Sequence, residues 1–263
     1  GVGAANTSIA RLMIADGADP KKMVIFSSKG SLHDGREDYR TNPVFYKQWE
    51  LCQLTNPNHI LTEEEAFRDA DLVVAASRPD PTTLHPEWIA SMAEKAIVFA
   101  CANPVPEIYP EAAKKAGAFI VATGRGDYPN QVNNVIGFPY IFRGALDVRA
   151  TEINEHMKHA AVRAIAELAR KPVPEVVNIA YNSERFSYGR KYLIPKPLDP
   201  RLLTEVSIAV AKAAVESGVA RKPITDWNAY YDKLRDMMGY DNQLMRGFTD
   251  MAKSAMPSSR HTS

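Results

Sequence analysis

Apolar runs recur along the first half of the chain: "MVIF" (23–26), "DLVVAAS" (71–77), "AIVFACAN" (96–103) and "AFIVATG" (118–124). Each is nearly continuous in Val, Ile, Phe and Ala, with no alternation of polar residues. Continuous runs of this length mark strands covered on both faces, as in parallel sheets. Helical patterns lie between them, "TEEEAFRDA", "HPEWIASMAEK" and "YPEAAKKAG". Strand–helix alternation with short connections predicts βαβ units and a doubly wound, mostly parallel α/β sheet with helices on both faces. A further helix opens the chain: Ile9, Leu12 and Met13 share one face, and Gly17 reads as its C-cap.

Beyond residue 131 the pattern turns helical. In "ATEINEHMKHAAVRAIAELAR" (150–170), Ile153, Met157, Ala160, Ala164, Ile165 and Leu168 form one stripe. The polar, aromatic segment 178–201 reads as a long loop, and "LLTEVSIAVAKAAVESG" as a helix closing at Gly218. These patterns give an α/β domain over 1–222 and a helical appendage or linker over 223–263 with a disordered end.

Composition narrows the classes. The chain has 263 residues, 45% of them hydrophobic and 24% charged, which is ample material for a core. Thirty-two Lys and Arg against 31 Asp and Glu leave no global field for nucleic acid or an anionic membrane. No apolar run is long enough to span a bilayer and no signal peptide is visible, so a cytoplasmic address is expected, or an organelle matrix after processing. Cys52 and Cys101 have no metal-type spacing and read as buried free thiols in a reducing compartment.

The candidate chemistry starts at residue 1. "GVGAAN" is most of a dinucleotide fingerprint of the Rossmann type. Gly1 permits the tight turn and Gly3 lets the backbone approach a pyrophosphate. Ala4, Ala5 and Asn6 then lead into a helix whose positive N-terminus faces the phosphates. Asn6 stands where a third small residue is usual. At the next strand end the ribose-reading position would be acidic for NAD, but the sequence there is "FSSKG". Ser27, Ser28 and Lys29 favour a 2′-phosphate, hence NADP, with NAD still open. They also read as plain turn residues, with Asp34 or Glu37 reaching the ribose instead.

Amides gather at two other strand ends. Asn103 closes the third apolar run before Pro104, and Asn130, Gln131, Asn133 and Asn134 follow the fourth. Ligands of open α/β sheets sit at these carboxyl ends. An uncharged amide donates and accepts without repelling an acid, which suits a carboxylate substrate beside a nicotinamide. Asx turns and helix capping are the plainer reading of the same residues. Arg125–Gly126–Asp127 spells an adhesion tripeptide without any sign of export. His156 and His159, beside Glu152 and Glu155, read as a solvated helix face.

Together "GVGAAN", "DADLVVAAS", "IVFACANPVPEI", "GAFIVATGRGDYPNQVNNVIGFPYIFRGALDVRA", "IPKPLDPR" and "SGVAR" resemble the cofactor-binding domain of malic enzymes, closest to the bacterial type, from residue 1 to about 222. The family usually has Ser where this chain has Gly126, and Gly or Ala where it has Asn6. The resemblance implies oxidative decarboxylation of (S)-malate to pyruvate and CO2, with NADP or NAD and Mg2+ or Mn2+. It implies malate and cofactor contacts from Asn103, and malate contacts from Asn133 or Asn134. It also implies a homo-oligomer.

In that family the general-acid tyrosine, the general-base lysine and the metal carboxylates precede the glycine loop. This chain starts at the loop's first glycine. No catalytic or metal-binding residue is therefore expected within it. The strand feeding the loop and the catalytic groups are expected in a missing N-terminal part of the same protein. Two other readings stay open. One is a different 2-hydroxy acid dehydrogenase using His33 or His85, neither with a carboxylate partner evident in sequence. The other is a non-catalytic nucleotide-binding module.

Overall fold

The computed structural model describes residues 2–182 and 185–239. Its helices are α1 (Ala4–Ala15), α2 (Glu37–Arg40), α3 (Tyr46–Leu54), α4 (Glu63–Phe67), α5 (Pro86–Ala90), α6 (Pro110–Lys115), α7 (Phe138–Asp147), α8 (Glu155–Arg170), α9 (Glu175–Ala180) and α10 (Arg201–Glu216). Its strands are β1 (Phe26–Ser27), β2 (Gly30–Ser31), β3 (Leu72–Ala75), β4 (Ile97–Ala100) and β5 (Ile120–Thr123). Residues 227–239 are also helical. The described residues form two compact units: 2–134, 169–178, 182 and 185–196 make unit 1, and 135–168, 179–181 and 197–239 make unit 2.

Unit 1 holds a three-stranded parallel sheet in the order β3–β4–β5, with Val74 opposite Phe99 and Phe99 opposite Ala122. The strands come from three of the continuous apolar runs, and helices connect them as the alternation predicts. Val98, Ala100, Val121 and Ala75 are buried with Phe67, Ile89, Ile108 and Ala113 from the connecting segments. Ile97 and Phe99 are half-buried, so one face of β4 is fully covered and the other partly.

The run "MVIF" departs from expectation. It does not enter the parallel sheet. Only Phe26 is in a strand, and it pairs antiparallel with Ser31 in a small β1–β2 hairpin. The reason is local satisfaction of the backbone. Met23 O accepts from Asn56 N at 3.0 Å, and Ile25 O accepts from Leu32 N at 2.7 Å. Among the described residues the outer edge of β3 has no ladder partner. There Val74 O accepts instead from the side chain of Asn6, at 3.5 Å.

Helix α1 ends in a Schellman motif: Gly17, at φ +104°, donates to Ile14 O, and Ala18 donates to Met13 O. Its buried face is Asn6, Thr7 and Ala10, while Ile9, Leu12 and Met13 are only half-buried. Small side chains let this face lie close to its neighbours, which Leu and Met could not. Ala10 joins Leu32, Leu51 and Cys52 in a small core. The segment 178–201 is loop only in part, because α9 extends to Ala180.

Unit 2 is helical. Gly144 on α7 meets α10 so closely that a Cβ would lie 2.4 Å from Ser207 O and 2.9 Å from Val210 Cβ. The expected boundary at 222 does not separate compact bodies. Tyr230 and Leu234, from the helical residues 227–239, are buried with Val148, Met157, Val206 and Val210. The Tyr230 hydroxyl donates to Asp147 Oδ2 at 2.8 Å, and Arg143 Nε holds the same oxygen at 2.9 Å. Apolar and polar anchors together fix this stretch to α7. The expected disordered end lies outside the described residues.

Gly144→Ala places a methyl against backbone, where only helix displacement relieves it. We expect a loss of about 2 kcal/mol in urea unfolding. Gly239→Ala, with open space around its Cβ, is the control and should change stability little.

Candidate functional site

The carboxyl ends of β3 and β4 are joined by one buried carboxylate. Glu107 is fully buried. Its Oε1 accepts from Ser77 N at 2.7 Å and Ser77 Oγ at 3.1 Å, just beyond β3. Its Oε2 accepts from Ala102 N at 3.0 Å, just beyond β4. Leu84 N also donates to the Glu107 carbonyl, at 3.0 Å. Charge-assisted bonds of this kind offset the cost of burying the charge.

Next to this clamp stands Asn103, exposed, at a cis Asn103–Pro104 peptide. Its carboxamide lies flat on Gly124, where a Cβ would sit 2.5 Å from Asn103 Nδ2 and 2.8 Å from Oδ1. Gly124 follows β5 directly, so Asn103 reaches across from the end of β4 to the end of β5. The amide segment returns to the same place. Val132 N donates to Thr123 O at 2.7 Å, and the Gln131 side chain lies over Gly126. Asn133 is half-buried and Asn134 is exposed at the start of a 3-10 turn.

The asparagines divide by how well their polar groups are satisfied. Asn130 is buried, with φ +56°. Its Nδ2 donates to Val121 O at 3.2 Å and Arg190 O at 2.8 Å, and its Oδ1 accepts from Leu193 N at 2.9 Å. It ties β5 to the 190–193 loop and caps no helix. Asn103 and Asn134, by contrast, make no side-chain hydrogen bond among the described residues.

The glycine loop is partly described, since Gly1 lies outside the described residues. Gly3 is the N-cap of α1, is exposed, and has nothing within 4 Å of a built Cβ. A pyrophosphate therefore has free approach to the first turn, where Ala4 and Ala5 are also exposed. Asn6 turns inward, with Nδ2 on Val74 O and a buried Oδ1 that has no hydrogen-bond partner among the described residues.

At the ribose-reading position Ser27 is committed to the hairpin. Its Oγ donates to Gly30 O at 2.9 Å and accepts from Lys29 N at 3.1 Å. Arg36 supports the turn from inside, donating to Ser31 O at 2.9 Å and Gly30 O at 3.2 Å. Asp38 holds the other side of the guanidinium at 2.8 Å through two bonds, which lowers the carboxyl pKa and raises that of Arg36. Ser28 and Lys29 stay exposed. Of the acids considered for the ribose, Asp34 pairs with His59 at 2.8 Å and Glu37 with Arg40 at 2.7 Å.

Other candidates resolve plainly. Arg125 and Asp127 of the adhesion-like tripeptide pair with each other at 2.6 and 2.9 Å. His85 does have a carboxylate partner, Glu87 at 3.2 Å, and it stacks on Trp88 at 4.3 Å. Both cysteines are free, Cys52 buried and Cys101 half-buried. Glu107 and Gly124 were not singled out in the sequence, although both flank residues that were.

Comparison with known proteins decides the family. No family model matches the chain. A NADP-dependent malic enzyme of Halomonas elongata is 50% identical over 224 residues, 85% of this chain and 51% of its own length. A NAD-dependent malic enzyme of Rhizobium meliloti is 42% identical over 257 residues, 97% of this chain and 32% of its own length. The crystal structure of Entamoeba histolytica malic enzyme superposes with a TM-score of 0.88 at 43% identity, covering 98% of this chain and 50% of that one. The chain belongs to the malic enzyme family. It spans a third to a half of the length of these relatives. Within the malic enzyme fold, the described residues include the parallel sheet and the loops at its carboxyl edge. They gather no trio of carboxylates, and their one trio of metal-capable side chains is His33, Asp34 and His59. That set does not match the oxygen ligands Mg2+ and Mn2+ prefer.

Burial, and then the charge of Glu107, push the Cys101 thiol up to about 11. At pH 8 only ~0.1% of it is thiolate, so the folded chain should resist alkylation there. We expect both cysteines to stay unmodified by iodoacetamide at pH 8 and to react readily once the chain is unfolded in guanidinium, as read by mass spectrometry.

Proposed function

We propose that this chain is the nucleotide-binding part of an enzyme that oxidises (S)-malate and releases CO2 to give pyruvate. The observation that carries the reading is Asn103 lying on Gly124, beside the returning 131–134 segment, at the ends of adjacent parallel strands. Uncharged amides at that edge can hold malate and the nicotinamide together without repelling the substrate's carboxylates. When bound, the cofactor accepts the hydride from malate C2. Asn103, Asn133 and Asn134 orient the substrate, and Asn103 also contacts the cofactor. Gly1, Gly3, Ala4, Ala5 and the α1 N-terminus hold the pyrophosphate, with Asn6 fixing the helix against β3.

The general acid, the general base and the carboxylates for Mg2+ or Mn2+ come, in this reading, from polypeptide outside these 263 residues. The length difference from the relatives supports this. The isolated chain then binds nucleotide and does not turn over malate. Two free thiols and the absence of any helix long and apolar enough to cross a membrane, among the described residues, support a cytoplasmic site of action. Exposed Phe138, Phe142 and Leu146 along α7 support the homo-oligomer.

NADP is the proposed cofactor over NAD. The hairpin 26–31 carries no carboxylate, and exposed Ser28 and Lys29 sit at its tip, with Ser27 fixing the turn. Relatives of both cofactor types are known by name, so the test is direct. Fluorescence titration of the chain with NADPH and NADH should favour NADPH. Lys29→Glu should weaken NADPH about tenfold, the loss of roughly one phosphate contact, with NADH nearly unchanged. Preference for NADH in the parent chain would sink the cofactor assignment and leave the family intact.

The edge geometry is tested separately in an enzyme that contains this chain and turns over malate. Gly124→Ala should displace Asn103 and lower kcat/KM about a hundredfold, since a shift of ~1 Å in a positioning group costs that much. The thermal midpoint should move little, because Asn103 is exposed and can swing away. Unchanged turnover in Gly124→Ala and in Asn103→Ala would remove Asn103 from the site.

A further inference from the structure

Two loops of unit 1 bring together side chains that the proposed reaction does not use. One ligating atom from each of His33, Asp34 and His59 lies within 4.8 Å of the other two. His59 Nε2 and Asp34 Oδ1 are 2.8 Å apart, and the two imidazole rings are 4.8 Å apart at 32°.

The cluster is held by its surroundings. Asn56, 2% exposed, ties the two loops. Its Nδ2 donates to Leu32 O at 3.0 Å and Ile60 O at 2.9 Å, and its Oδ1 accepts from Ile60 N at 2.8 Å. Its own N–H donates to Met23 O at 3.0 Å. Asn56 and His59 both take left-handed backbone conformations, φ +50° and +53°. For residues other than glycine this persists only where neighbours enforce it. The His33 ring lies against Gly35, whose N–H donates to Nδ1 at 3.1 Å and whose missing Cβ leaves the ring its place.

We propose that His33, Asp34 and His59 bind a divalent transition metal of the borderline class, Zn2+, Co2+ or Ni2+. Two imidazoles and one carboxylate form a nitrogen-rich set that suits these ions and not Mg2+ or Ca2+. Tetrahedral ligation at ~2.1 Å from the metal separates donor atoms by roughly 3.4 Å. The His59–Asp34 separation is shorter than that, and all three donor atoms lie within 4.8 Å of one another. His59 and Asp34 side chains are 49% and 69% exposed, so small rotations bring them into place. The metal takes the position of the proton between His59 and Asp34. At His33 it displaces the Gly35 N–H from Nδ1, and that exposed amide turns to water. Water fills the remaining coordination positions.

The test needs no turnover. The full chain is titrated with ZnCl2 by calorimetry and with CoCl2 by visible absorption. We expect one equivalent to bind, with Mg2+ giving no comparable signal. His33→Asn combined with His59→Asn should abolish that equivalent. His85→Asn combined with His156→Asn and His159→Asn should retain it. If the double variant fails to fold by circular dichroism, Asp34→Asn carries the test, because that exposed residue can be changed without touching the core; it should weaken binding about tenfold. No binding of Zn2+ by the parent chain, or an unchanged equivalent in the folded variants, would overturn the proposal.

Discussion

The carboxyl edge of this sheet depends on one buried carboxylate that makes no ion pair among the described residues. Ionised Glu107 is stabilised by backbone and hydroxyl donors from the ends of two parallel strands. Each charge-assisted bond is worth about 1.5–3 kcal/mol, whereas an unmet buried charge costs several kcal/mol. The carboxylate is therefore tolerable only while both strand ends stay in register beneath it. Asn103 rides on this arrangement, because Ala102 is clamped and Asn103 is the next residue. Burial first, and the Glu107 carboxylate second, raise the Cys101 thiol to about 11, so this cysteine beside the sheet's carboxyl edge stays chemically quiet.

Most of the architecture was legible because it is written in period and run length. The runs at 71–77, 96–103 and 118–124 became β3, β4 and β5, and the patterns between them became α4, α5 and α6. Each needs only a continuous apolar stretch, or a cap and an acidic first turn, to be recognised. "MVIF" shows the limit of that logic. Its composition is that of a buried strand, yet a strand exists only where a neighbour offers a ladder. Here Asn56 N and Leu32 N satisfy two of its carbonyls from loops. No local pattern announces such partners.

The helical unit shows a second limit. Residues 223–239 lie past an apparent boundary and are rich in charge, so they read as peripheral. Burial is set by a few positions rather than by the mean. Tyr230 and Leu234 enter the core, and the Asp147–Arg143–Tyr230 cluster closes the seam. Gly144 carries a similar lesson. A glycine inside a helix costs up to ~1 kcal/mol of propensity, and the return is an approach to α10 that no other residue permits.

The asparagines are where sequence and function meet most closely, and where composition alone misleads. Asn130 and Asn103 look alike in the sequence, each an amide after a β-rich run. Asn130 spends both its donor and its acceptor on holding a loop, and a ligand could recruit it only by leaving Arg190 O or Leu193 N unmet. Asn103 spends nothing within the described residues and stays exposed, lying against Gly124. Satisfaction of hydrogen bonds, not residue type, separates an asparagine that builds a site from one that serves it. The same criterion sets Asn6 apart. Its Nδ2 sits on an unpaired carbonyl of β3 while its buried Oδ1 remains unmet. That is half of a peptide group's pairing, presented at the outer edge of β3, which has no strand beside it among the described residues.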